Sequence, residues 1–200
     1  SIEKLEQAQN ICRSKINNTE NASANLDYLS EYILATGELA SIYCDHVDGM
    51  RRDINRSLNE YNDVVKHYCY LVEDNPHLGF DFIHKVYSRL AFLYRDLNDY
   101  QEVEKMQEKR ALLSLSYAIK EKERKYIDRF EYDFIDWADT LRKVSRSTLK
   151  ESYKQALEQY MQLGTQLSSA ISNSNCEVYP KSFFSFLKSE VEAFQRIQEY

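Results

Sequence analysis

Apolar residues recur along this chain at steps of three and four. After Pro180, Phe183, Leu187, Val191, Phe194 and Ile197 follow one another at steps of 4, 4, 3 and 3. Before them, Leu149, Tyr153, Ala156, Leu157, Tyr160, Leu163 and Leu167 draw a similar stripe, with Glu and Lys filling the other sides. A period near 3.6 sets such residues on one face of a helix. That face must be buried against another element, so the pattern predicts helices packed in pairs and no convincing strand.

Polar clusters mark where one helix ends and the next begins. A first helix is expected over about residues 2–16, followed by the polar stretch Asn17 to Asn25. His46-Val47-Asp48-Gly49 reads as a loop, and Glu73-Asp74-Asn75-Pro76 as a helix end, because proline cannot continue a helix. Gly79 and Gly164 are separated by 84 residues without Gly or Pro. As one helix these would reach about 126 Å at ~1.5 Å per residue, too long for a compact domain. Asp96-Leu97-Asn98-Asp99 and Ser145-Arg146-Ser147-Thr148 are the expected breaks. Each precedes a capping pattern, Asp99-Tyr100-Gln101-Glu102 and Thr148-Leu149-Lys150-Glu151, that would occupy the free N–H groups of a helix start. Asn173-Ser174-Asn175 is the last loop, and Pro180 suits the first turn of a final helix. The count comes to seven or eight helices.

Composition narrows the class further. Four Gly and two Pro in 200 residues are too few for the turns of a β-sandwich or barrel. A 43% apolar fraction with 13% aromatics is too rich for disorder. The net charge of −6 argues against nucleic acid as the partner, and no apolar run is long enough to span a membrane. Cys12, Cys44, Cys69 and Cys176 show no paired spacing and suit a reducing, cytoplasmic setting. The opening Ser1-Ile2-Glu3-Lys4 reads as the start of a piece excised from a longer protein.

One segment carries a repeat signature. Leu90-Ala91-Phe92-Leu93-Tyr94 is followed by Asn98-Asp99-Tyr100, Val103 and Arg110-Ala111-Leu112. Upstream, Leu39-Ala40-Ser41-Ile42-Tyr43 repeats the Leu-Ala-x-x-Tyr core, with a second helix over Leu58 to Asp74. Downstream, Phe134, Trp137, Ala138 and Leu141, then Tyr153 and Ala156, form a looser third match. The pattern resembles the tetratricopeptide repeat, in which small residues sit where paired helices cross and large aromatics fill the holes opposite. It departs from that family at Ala91, where Gly is usual, and at Val103, where Ala is usual. An irregular helical bundle, or a long α-hairpin with residues 100–143 as one long helix, meets the same burial demand.

The resemblance implies an all-α array of antiparallel helix pairs, an α-solenoid with extra terminal helices. It would form one domain over 1–200: an N-terminal helix and linker (1–26), about three helix pairs (27–171) and a C-terminal capping helix (172–200). It also implies a protein-interaction module, adaptor or scaffold, whose concave face holds a peptide or protein partner. By offset, that face presents Lys85, Ser88, Phe92 and Arg95 from the central pair, and Ser41 and Asp45 from the first. The carboxylate-clamp offsets hold Ser88 and Phe92, and Gly37 and Ser41, so binding of chaperone tails is not expected. Two charges and a Phe suggest a ligand of mixed apolar and acidic character. A regulatory or sensor domain of a longer signalling or transcription-regulatory protein is the alternative reading. Phe183, Phe184 and Phe186 exceed the needs of one stripe and suit contact with another domain or a second copy of the chain.

Candidate chemistry is sparse. Cys44-Asp45-His46-Val47-Asp48 gathers ligand-type side chains, yet lacks the second pair that zinc sites use. His67, Tyr68 and Cys69 are neighbours on a helix and so point apart. His77 and His84 flank the Gly79 break and belong to no ligand or dyad motif in the sequence. Phosphate-loop, metalloprotease and nucleophile-elbow motifs are absent. No catalytic residue, metal or cofactor is therefore assigned. Glu121-Lys122-Glu123-Arg124-Lys125 reads as a solvated helix face with ion pairs at four-residue spacing.

Overall fold

A computed structural model describes residues 1–18, 22–45, 52–68, 79–121 and 123–145. Among these are six helices and no strand: α1 (Ile2–Asn18), α2 (Ala22–Cys44), α3 (Ile54–Tyr68), α4 (Phe80–Asp96), α5 (Tyr100–Glu121) and α6 (Arg124–Ser145). The chain divides into two compact units, Ser1–Asp99 and a second that begins at Tyr100. None of the helices described is long and apolar enough to cross a membrane. The expected helix end at Pro76, the loops at His46–Gly49 and Asn173–Asn175, the third pair's second helix and the final Phe-rich helix lie outside the described residues.

In the first unit α2 is the hub. Between Ser30 and Cys44 only Glu31 and Glu38 are exposed, because α1, α3 and α4 pack on its other sides. The cross-links set the directions. Gln9 meets Thr36 and Arg13 meets Tyr32, so α1 runs antiparallel to α2. Ser57 meets the Ala40 carbonyl and Tyr32 meets Asp63, so α3 does the same. Ile33, Leu39, Ala40, Val64, Ile83, Leu90 and Leu93 fill the core. The repeat-motif residues Leu39, Ala40, Tyr43, Leu90 and Ala91 are all buried there. Gly37 faces α4: a Cβ added to it would stand 3.0 Å from the Phe82 ring.

The start of α3 and the end of α4 are fixed by local chemistry. Asp53 accepts the Arg56 N–H at 3.0 Å, an N-cap, and its own N–H donates to the Tyr43 carbonyl. Asn98 has a positive φ of 59°. Its N–H donates to the Arg95 carbonyl and that of Asp99 to the Tyr94 carbonyl, the paired bonds of a Schellman motif. Asparagine tolerates this left-handed backbone better than most residues, which is why the expected break at 96–99 forms.

The second unit opens with the α5–α6 hairpin. Small residues Ala111, Ser114 and Ala118 on α5 and large Phe130, Phe134 and Trp137 on α6 are all buried. Contacts between Glu104 and Trp137, Gln107 and Asp136, Ser114 and Asp133, and Tyr117 and Tyr126 run in opposite orders, as antiparallel helices require.

Two details depart from expectation. Helix α1 continues to Asn18 and α2 begins at Ala22, so the polar stretch 17–25 is mostly helical. Asn and Ser lie only a few tenths of a kcal/mol below average helix formers, roughly, a small cost for extending helices that continue on either side. The charged cluster at 121–125 is not one continuous helix face: α5 ends at Glu121 and α6 starts at Arg124. Its described residues are exposed; Arg124 pairs with Asp128 at 3.4 Å, at the four-residue spacing, while Lys125 pairs with Glu123 at 3.0 Å, only two positions away. The reversal of direction occurs there because neither neighbouring helix can bury such a sequence.

Candidate functional site

The outward face of α4 holds four of the six positions expected to bind a partner. Helix periodicity places Phe80, Ile83, Val86, Leu90 and Leu93 toward the core. Asp81, Lys85, Ser88, Phe92 and Arg95 fall on the opposite stripe, and all but the half-buried Ser88 are exposed. Phe92 is 43% exposed, unusual for an aromatic ring on a packed helix. The Ser88 hydroxyl turns back and donates to the His84 carbonyl at 2.9 Å, so it is engaged by its own helix.

Asp45, just past α2, and Arg52, just before α3, flank this stripe on one side. Arg89 holds Asp45 through two nitrogens, at 2.9 and 3.3 Å, the bidentate geometry natural to a guanidinium and a carboxylate. Arg52 pairs with Asp96 and lays its guanidinium over the Phe92 ring, 4.8 Å from the centroid. Its Nε and Nη2 are buried and find no hydrogen-bond acceptor. Asp45 is thus already ion-paired within the chain, and one face of Phe92 is covered. Lys85 and Arg95 make no ion pair among the described residues.

Ser41 sits apart from the stripe, half-buried on α2. It lies beside Tyr61 of α3, whose ring is 2% exposed. Burial pushes the Tyr61 hydroxyl up to about 12, with Ser41 acting in the opposite direction.

Sequence reasoning missed Arg52, Arg89 and Asp96. Arg52 belongs to the small basic spot Met50-Arg51-Arg52, whose neighbours on α4 are some forty residues away in sequence. No local pattern marks that juxtaposition; it arises from the packing of α4 on α2 and α3. The two described histidines, His67 and His84, have ordinary surroundings. His67 Nδ1 lies 2.8 Å from the Asp63 carbonyl and its ring stands edge-on to Tyr32, while His84 is buried against Phe80. Among the described residues no three His, Cys, Asp or Glu side chains gather as a metal site would require. No family model, curated protein or solved structure matches the chain.

Proposed function

We propose that the chain is a protein-interaction module, tetratricopeptide-like in its helix pairs, that binds a partner segment along the outward face of α4. The observation that carries this reading is the stripe itself: Lys85 and Arg95, which make no ion pair among the described residues, stand on either side of an exposed Phe92 on the face of α4 opposite its core stripe. Lys85 and Arg95 are ten positions apart, about 15 Å along the helix at 1.5 Å per residue. A partner with two acidic groups at that separation and an apolar side chain between them satisfies all three. Aromatic and Arg side chains are the residue types that most often dominate such interfaces.

Selection of a random displayed-peptide library on the full chain tests the reading. Enriched peptides should combine acidic and apolar residues and bind the Phe92→Ala/Arg95→Glu variant on the order of a hundredfold more weakly. Circular dichroism should show the variant still helical. Peptides that bind parent and variant equally, or no enrichment at all, would count against it.

A further inference from the structure

Helix α1 is held by an unusual seam. Its inward stripe is Ile2, Leu5, Gln9, Cys12 and Ile16, at steps of 3, 4, 3 and 4. Only Gln9 and Cys12 of these are buried; Ile2, Leu5 and Ile16 stay half-exposed. The centre of the seam is therefore a polar side chain. Gln9 Nε2 donates to Thr36 Oγ1 at 3.0 Å and to Glu60 Oε2 at 2.7 Å, tying α1 to α2 and α3 at once. A single polar residue at the centre of an apolar seam fixes register while lowering stability.

Charged contacts continue the seam on both sides. Glu6 accepts from Arg56 of α3 and from the Tyr43 hydroxyl of α2, the latter at 3.0 Å. These two donors hold its carboxyl below the usual carboxylate range. Arg13 donates to the Tyr32 hydroxyl at 2.6 Å, and Tyr32 in turn donates to Asp63 of α3. The Glu6 and Arg56 side chains are 35% and 44% exposed, so dissolved salt reaches them. The packing of α2 on α3, by contrast, buries Leu39, Ala40, Leu58, Tyr61 and Val64.

We propose that α1 is a salt-sensitive strap that opens as a unit from α2 and α3 while those helices and α4 stay packed. Opening uncovers Tyr32, Thr36 and Tyr43 of α2 together with Glu60 and Asp63 of α3. The strap thus shields a trough with aromatic walls and an acidic edge.

Hydrogen exchange followed by mass spectrometry on the full chain tests this. Between about 0.05 M and about 0.5 M NaCl, the α1 amides should exchange about fivefold faster, while those of α2 and α3 hold their rates as an internal reference. Glu6→Arg should open α1 already at low salt, and Glu6→Arg/Arg56→Glu should restore its protection. Amides of α1 as slow as those of α2 and indifferent to salt would overturn the proposal without any variant. So would failure of the charge-swapped pair to recover what Glu6→Arg loses.

Discussion

Tyr61 shows how one atom can tie stability to pH. Its ring fills the space between α2 and α3, yet among the described residues its buried hydroxyl makes no regular hydrogen bond, Ser41 lying beside it. Burial raises its ionisation from 10.0 to about 12, so the folded state keeps its proton where the unfolded chain loses it. The contribution to stability is complete below pH 10 and disappears as pH rises toward 12, about 2–3 kcal/mol at ~1.4 kcal/mol per pH unit. Urea denaturation followed by circular dichroism at two alkaline pH values checks this. Tyr61→Phe should flatten that dependence. Near neutral pH it should change stability by less than about 1 kcal/mol, since the hydroxyl gives up at most a poorly formed contact with Ser41. A large loss at neutral pH would mean that the hydroxyl is bonded after all.

At the scale of elements, the α5–α6 hairpin depends on one guanidinium. Arg110 is 6% exposed and stands 3.0 Å from Asp133, which is fully buried, and 2.6 Å from Asp136. Ser114 donates to Asp133, and Gln107 Nε2 to Asp136. Removing the cation strands two carboxylates, so Arg110→Leu should destabilise the hairpin by about 3–5 kcal/mol in urea titration. A loss under about 1 kcal/mol would show that the carboxylates find other partners. This cluster was illegible in the sequence, where Arg110, Asp133 and Asp136 are unremarkable polar residues on amphipathic helices. The bounds of α1, α4 and α5 were legible from the polar clusters between them, whereas the apolar stripes at 149–167 and 183–197 lie outside the described residues; Lys85, Ser88, Phe92 and Arg95 were grouped only through the offsets of the resembled repeat. The break after Asp96 was legible from Asn98. The break after Glu121 was not: it holds neither Gly nor Pro, and a mixed-charge run looks alike on a helix face and in a turn.

At the scale of the whole molecule, the division after Asp99 falls inside the strongest repeat match, with Leu90-Ala91 in the first unit and Val103 and Ala111 in the second. In a solenoid each pair leans on its neighbours, and a truncated array loses stability with each interface removed. The first unit carries its own core around α2 and its own seam of polar contacts. Residues 1–99 expressed alone should therefore melt cooperatively by circular dichroism with the helix content of α1–α4. A fragment that stays unfolded would indicate that the units stand only as parts of a longer array.

The position of the one tryptophan has a practical bearing on all such measurements. Trp137 is 1% exposed in the second unit, its indole N–H donating to Glu104 at 3.0 Å. Its fluorescence is thus a local lamp. It reports on the hairpin around it, while the tyrosine-rich helices that precede it contribute nothing under tryptophan-selective excitation. A melt recorded on that signal alone would miss the loosening of α1, and a chain that loses its first unit could still shine as though intact.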